Sequence, residues 1–267
     1  ATDTEVVLAA YREWGAAAVE RFTGMFAFAI WDAPARTLLL ARDRLGKKPL
    51  YYHLAHGRLD FASEIKALLA LPGIERRIDV DAAAKFFNFL WVPDPDTLFQ
   101  GIRQLEPGAL ALFRDGRLLQ RRYWDVPLDP APAGAVNARE AEERLDALLG
   151  DAVACRLESD VRLGAFLSGG VDSSLIIAFM RRAGAGRVLT QTVDAPEADA
   201  GYAIETRDLP YARRVRDHFG DLDYHEIELR PRVAELLPLL VWHLDDPVAD
   251  PAAIATYLIC REAKERA

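Results

Sequence analysis

The chain has 267 residues, 33 Lys+Arg against 41 Asp+Glu, a formal net charge of −8 and 51% hydrophobic residues. That length suits one large domain or two ordinary ones, and the composition is too apolar for a disordered chain. No stretch approaches the ~20 apolar residues of a membrane span, the first residues lack the basic and apolar regions of a signal peptide, the acidic balance gives no nucleic-acid footprint, and Cys155 and Cys260 cannot alone build a disulfide framework or a zinc site. A soluble, cytoplasmic protein is expected, with no nucleic-acid and no membrane partner.

In chain order, residues 5–14 have helical spacing with Gly15 as a stop. Residues 25–31 alternate large and small side chains as a strand packed on both faces does, and 37–42 form a second apolar run. Residues 51–63 predict a hairpin about His56-Gly57, and 109–123 another about Asp115-Gly116. Between them, 64–71 and 80–91 have helical spacing. Strands in bulk with interspersed helices predict an α+β layer structure. Residues 127–136, PLDPAPAGAV, can continue neither a helix nor a central strand and read as a linker.

Beyond the linker the period changes. Asn137 with Glu140 opens a helix running to about residue 157. An apolar run at 162–167, a loop of small residues, a helix over 173–182, a strand at 188–193, a helix over 210–219 and a strand at 224–229 follow. Helices over 233–243 and 252–266 complete the order. Strands alternating with helices predict an α/β unit with a parallel sheet. The last helix carries no capping signal and leaves that sheet unfinished.

The segment that carries chemistry is Phe166-Leu167-Ser168-Gly169-Gly170-Val171-Asp172-Ser173-Ser174. An apolar strand ends at Leu167, two glycines allow a sharp turn and close approach of a ligand, and a helix begins. A helix N-terminus offers unpaired N–H groups and the positive end of its dipole, which suits a phosphate. Asp172 would repel a bare phosphate and makes sense where Mg2+ bridges carboxylate and phosphate. The plainer alternative is a tight strand–helix turn with Asp172 and Ser173 as caps. The G-x-x-x-x-G-K-[ST] spacing of a Walker loop is absent.

Ser168-Gly169-Gly170-Val171-Asp172-Ser173 resembles the pyrophosphate loop of the ATP pyrophosphatases that release AMP. Ser159-Asp160-Val161 ahead of Gly164-Ala165-Phe166 is similar to the entry strand of glutamine-hydrolysing asparagine synthetases. The first half resembles their glutaminase domain through Gly24-Met25-Phe26-Ala27-Phe28-Ala29-Ile30-Trp31-Asp32, the run from Ala41-Arg42-Asp43-Arg44 to Tyr51-Tyr52, Ala62-Ser63-Glu64-Ile65-Lys66-Ala67-Leu68 and Leu105-Glu106-Pro107-Gly108. The resemblance implies part of an N-terminal-nucleophile-type glutaminase over 1–126, the linker 127–136, and part of a parallel-sheet ATP-pyrophosphatase domain over 137–267. It implies ATP and Mg2+, with aspartate, glutamine or ammonia as small-molecule substrates, and it allows a homodimer.

Residue by residue, the resemblance puts Ser168, Gly169, Gly170 and Ser173 on pyrophosphate-holding positions and Asp172 on a magnesium position. Leu167 and Val193 fall where the backbone meets adenosine; a buried strand-end residue is the other reading of Val193. Asp3 resembles the aspartate that holds the α-amino group of glutamine, or else caps the helix that follows. Asp208-Leu209-Pro210-Tyr211-Ala212-Arg213 and Asp245-Asp246-Pro247-Val248-Ala249-Asp250-Pro251 resemble segments near the site, or their acids are helix-start caps; Tyr224-His225-Glu226 resembles the strand after the next helix. His225 reads as a packed strand residue. The family's glutaminases begin with a nucleophilic Cys, whereas residue 1 here is Ala. The family's downstream Ser-Gly-x-Gly-x-Asp-Glu loop would follow residue 267. An internal piece of a longer enzyme is therefore expected, with no catalytic nucleophile of its own. A sibling ligase with another acyl substrate, such as a beta-lactam synthetase, and a non-catalytic nucleotide-binding protein are the alternatives.

Overall fold

The computed structural model describes residues 2–128, 137–194, 208–228, 232–250 and 252–266. Residue 1, most of the expected linker (129–136), Leu229 and Pro251 lie outside the described residues. Two compact units are present, one formed by Ala1–Leu128 with Val241–Ala249, the other by Asp129–Leu240 with Asp250–Ala267.

In the first unit, helix α1 (Asp3–Trp14) and a 3-10 helix (Gly15–Arg21) precede two antiparallel sheets. One has the order β1 (Ala27–Asp32), β2 (Thr37–Arg42), β6 (Ala109–Arg114), β7 (Arg117–Arg122). The other has β4 (Arg58–Ala62), β3 (Tyr51–Ala55), β5 (Ile102–Gln104). Leu39, Ala41, Ile30 and Leu110 face α1 and the 3-10 helix in one apolar cluster, while Leu40, Ala109 and Ala111 pack with Leu50, Leu59 and Leu105 on the opposite face. β2 is thus covered on both sides, which is why its sequence is continuously apolar rather than alternating. Tyr51 and Ile102 pack outward from the second sheet onto Ile65 and Leu68 of helix α2 (Ile65–Leu69). Helix α3 (Val80–Phe89) follows with Asp79 as its cap. Both expected hairpins form, and Asp115 and Gly116 take φ of 48° and 76°, the positive pair that a two-residue hairpin turn needs. The 3-10 helix and the short strand β5 carry no distinct sequence signal and were not expected.

In the string Arg42-Asp43-Arg44-Leu45-Gly46-Lys47-Lys48, the buried Arg42 and Asp43 form a polar knot with the backbone around them. Arg42 donates to the carbonyls of Leu105 (2.6 Å), Lys48 (2.9 Å) and Gly46 (2.9 Å) and pairs with Asp94 at 3.2 Å. Asp43 accepts from the N–H groups of Phe26, Leu45, Lys47 and Lys48. Two buried opposite charges are tolerated here because nearly every polar atom has a partner.

In the second unit, helix α4 (Ala138–Ala154) starts at the expected capping box: Asn137 accepts from Glu140 N–H and Glu140 returns the bond. Then come β8 (Gly164–Phe166), α5 (Val171–Arg182), β9 (Leu189–Asp194), α6 (Leu209–Phe219), β10 (Asp223–Glu228), α7 (Val233–Leu244) and α8 (Ala252–Arg266). The sheet has the order β10-β9-β8, and both pairings are parallel. α4, α5 and α6 cover one face through Val153, Ile177, Phe179, Met180 and Ala212, and α7 and α8 cover the other through Leu236, Leu258 and Ile259. α5 begins at Val171 rather than at 173, so Asp172 lies inside its first turn. Among the described residues no helix is long and apolar enough to cross a membrane.

Candidate functional site

The segment Leu167–Ser174 emerges at the carboxyl end of β8, the edge where parallel sheets present ligand sites. Leu167 is buried in the cluster with Ile177 and Ala212. Its N–H donates to the Gln191 carbonyl at 2.9 Å, and its own carbonyl accepts from Thr192 Oγ1 at 2.6 Å. The end of β8 is therefore pinned to β9 by main chain and side chain together.

Beyond Leu167 the serines close the turn on itself. Ser168 Oγ lies 3.0 Å from Ser173 Oγ and accepts from Gly170 N–H at 3.2 Å. The hydroxyls of Ser173 and Ser174 donate to the Gly170 carbonyl at 3.2 and 2.7 Å. Gly169 has φ of +78°, and a Cβ there would stand 2.3 Å from the Ala212 nitrogen and 2.4 Å from the Tyr211 carbonyl carbon. Both belong to the first turn of α6, so the loop is wedged between a strand end and a second helix start. Gly170 caps α5 without a side chain to offer, and no side-chain bond caps that helix. Ser168, Gly170 and Asp172 are exposed, whereas Gly169 and Ser173 are half-buried. The arrangement offers hydroxyls, a helix start without a side-chain cap and one accessible carboxylate to an anion that brings a cation with it.

Val193 lies on β9, half-buried and packed toward Ile227, Leu258 and Ile259. Asp3 lies in the first unit, exposed in the first turn of α1. Its alternative role as a cap is corrected: Thr2 is the cap, with Oγ1 accepting from Glu5 N–H at 3.4 Å and its N–H donating to the Glu5 carboxylate at 3.1 Å. His225 is half-buried on β10 with Nε2 3.2 Å from Asp223 Oδ1.

The acids beside prolines divide. Asp250 accepts from Ala252 N–H at 2.9 Å and starts α8 as a cap. Asp245 and Asp246 start no helix of their own. Asp245 accepts from Ile65 N–H at 2.5 Å and pairs with Lys66 at 2.8 Å, and Asp246 accepts from Leu98 N–H at 3.0 Å. Burial, with Asp245 and Asp94 nearby, pushes the Asp246 carboxyl up to about 6. The Asp208 side chain caps nothing, but its carbonyl accepts from Tyr211 and Ala212 N–H.

Sequence reasoning put 208–213 near the site and 224–226 on a strand, but assigned no role to Thr192, to the Tyr211–Ala212 backbone or to the pair Arg213–Glu226, whose guanidinium holds the Glu226 carboxyl below its usual range. One signal was present: Thr190-Gln191-Thr192 is a polar run in a strand that is otherwise core, and all of it is buried. Thr192 is spent on Leu167, while Thr190 Oγ1 and Gln191 Nε2 have no hydrogen-bond partner among the described residues. Among the described residues no group of three or more His, Cys, Asp or Glu could hold a metal. A cation at the loop would be held by Asp172 together with phosphate oxygens and water, which is how Mg2+ is commonly bound.

A glutamine amidotransferase domain model matches residues 1–124, and an asparagine synthase model matches residues 144–267. A putative glutamine-hydrolysing asparagine synthetase of Mycobacterium tuberculosis (strain ATCC 25618 / H37Rv) is 35% identical over 98% of this chain and 40% of its own length. Asparagine synthetase 1 of Bacillus subtilis (strain 168) is 34% identical over 99% of this chain and 40% of its own length. The chain thus spans 40% of the length of these curated relatives. The solved glutamine phosphoribosylpyrophosphate amidotransferase of B. subtilis, complexed with ADP and GMP, superposes with a TM-score of 0.34 at 16% identity, covering 89% of this chain and 66% of that one, and adds nothing to the argument. With a match to a glutamine amidotransferase domain followed by a match to an asparagine synthase domain, and relatives alike over nearly all its residues, the chain is similar to part of the glutamine-hydrolysing asparagine synthetases.

Proposed function

We propose that this chain supplies the ATP-binding loop and part of the glutaminase of a ligase that converts aspartate to asparagine. The glutaminase part is assigned to 1–126 as N-terminal-nucleophile-type layers, and the synthetase part to 137–267 as an ATP-pyrophosphatase domain, joined by 127–136. The observation that carries the reading is the turn 167–174, with its hydroxyls, its helix start and its exposed Asp172 at the carboxyl edge of a parallel sheet. Ser168, Gly169, Gly170 and Ser173 would bind the pyrophosphate end of ATP, and the strand ends at Leu167 and Val193 its adenosine. Asp172 would hold Mg2+, which neutralises phosphate charge when bound.

A carboxylate is a poor electrophile because its leaving group would be oxide. An oxygen of the aspartate side chain attacks the α-phosphorus of ATP, and pyrophosphate leaves. Ammonia derived from glutamine then attacks the acyl carbon, and AMP leaves with the oxygen that had been attached to it. The loop's part is to orient the triphosphate and to stabilise charge on the departing pyrophosphate. Asp3 would hold the α-amino group of glutamine, a role compatible with Thr2 already serving as the helix cap. The cytoplasm, where ATP is abundant, is the compartment this chemistry calls for.

The test uses the enzyme expressed from its full reading frame. Aspartate-dependent pyrophosphate release from ATP is expected, and Asp172→Ala should lower it by on the order of a hundredfold or more, as losing a stabiliser of transition-state charge does. Wild-type activity in that variant would overturn the magnesium role. Turnover of another carboxylic acid in place of aspartate would reassign the acyl substrate and leave the loop assignment intact.

A further inference from the structure

The phosphate loop depends on where α6 sits. Gly169 has no room for a side chain because the Tyr211–Ala212 backbone occupies that space. Ala212 is fully buried in the same cluster as Leu167, so any shift of the first turn of α6 changes the wall against which the loop bends. Among the described residues, α6 meets the core through Ala212 and the partly buried Val215 and Phe219. So small an apolar footing does not fix a helix along its axis or its rotation.

A directional contact lies one residue from the wall. Arg213 Nε and Nη2 donate to Glu226 Oε1 and Oε2, both at 2.7 Å. This is the parallel two-bond fork that guanidinium and carboxylate planes form, and it constrains angle as well as distance. Glu226 stands on β10 in register with Thr192 of β9, the residue that pins the Leu167 carbonyl. Arg216, a turn further along α6, lies 5.3 Å over the Tyr224 ring and 3.9 Å from Glu226 Oε1. Arg213, Arg216, Tyr224 and Glu226 line a cleft of about 570 Å³.

We propose that Arg213 and Glu226 are positioning residues for the phosphate loop: their fork fixes the first turn of α6 on the sheet and thereby holds the Tyr211–Ala212 backbone against Gly169. The proposal rests on the reading of 167–174 as the ATP loop. Its signature is a selective loss of nucleotide affinity, since the fork acts on the loop through the first turn of α6.

The experiment measures KM for ATP and for aspartate, kcat for pyrophosphate release, glutaminase activity and thermal melting in the enzyme from the full reading frame. Glu226→Gln and Arg213→Lys each keep a hydrogen-bonding group and lose the fork; Glu226→Asp keeps both charges and shortens the reach. KM for ATP should rise about tenfold in the first two and less in Glu226→Asp, with KM for aspartate, kcat and glutaminase activity within about twofold of wild type, the pattern of lost ground-state positioning. If Glu226→Gln or Arg213→Lys is unfolded at the assay temperature, the folded Glu226→Asp decides by the same ratio. Unchanged KM for ATP in the folded variants overturns the positioning role, as does a parallel fall in every parameter. Gly169→Ala and Asp172→Ala run alongside: if these also bind ATP normally, it is the ATP reading of the loop that fails.

Discussion

Two neighbouring glycines in the loop have different jobs. Gly169 combines φ of +78° with the α6 backbone 2.3 Å from where a Cβ would stand. Gly170 has φ of −67°, and a Cβ there would meet only the Ser168 hydroxyl at 3.3 Å. Alanine at 169 must therefore strain its own backbone and push a helix start away, whereas alanine at 170 fits the existing chain. Gly169→Ala should lose about 2 kcal/mol of stability or more, from backbone strain and overpacking together. Gly170→Ala should cost about 1 kcal/mol or less, the difference between a glycine and an alanine helix cap. Urea denaturation of the two variants checks this, and equal losses would mean that the α6 backbone does not limit the loop.

Among elements, α2 shows a helix that its own sequence cannot hold. It has five residues, and its cap position, Glu64, makes no side-chain cap bond. Asp245 supplies the cap from 180 residues away, accepting from Ile65 N–H while pairing with Lys66, and Trp242 lies under the Lys66 ammonium at 5.4 Å. Asp245→Ala should destabilise by about 1–2 kcal/mol, as loss of a helix cap does. Asp245→Asn, which keeps an oxygen for Ile65 N–H, should lose less. A shift in the urea midpoint reads both, and wild-type midpoints in both would remove Asp245 from the cap. The helix itself was legible from the spacing over 64–71; its distant cap was not. Elements whose signals are local were legible: the Asn137–Glu140 box, the Asp115-Gly116 turn and the doubly apolar run of β2. The loop 167–174 was legible as well, because strand, glycines and helix start are contiguous. Long-range pairings leave no periodic trace. Nothing in Asp245-Asp246-Pro247 announces a helix at residue 65, and Arg213 on a polar helix reads like any solvated arginine. The polar run Thr190-Gln191-Thr192 is a visible anomaly in a buried strand: Thr192 is bonded to the Leu167 carbonyl, while Thr190 Oγ1 and Gln191 Nε2 find no partner among the described residues.

At the scale of the molecule, the first unit is built from two separate stretches of chain, and the shorter one, Val241–Ala249, is fastened chiefly by carboxylates. Asp246 is the buried member of that fastening. Its carboxyl accepts from Leu98 N–H but also faces Asp245 and Asp94, and burial lifts it from 3.8 to about 6. Tyr51 is pushed up to about 12 by burial and by the same acids, and stays neutral. A carboxyl that holds its proton more tightly folded than unfolded favours the folded state fully at pH below the unfolded value. That contribution fades as pH rises through the folded value, a swing on the order of 3 kcal/mol at most. Asp246→Asn keeps an oxygen for Leu98 N–H and cannot ionise. It should therefore match the wild type near pH 4 and be the more stable protein above about pH 6.5, the gap opening between these values. Thermal melts of the two proteins across this range test it. A difference that does not change with pH would mean that Asp246 is ionised throughout, held as an anion by Leu98 N–H in spite of its acidic neighbours.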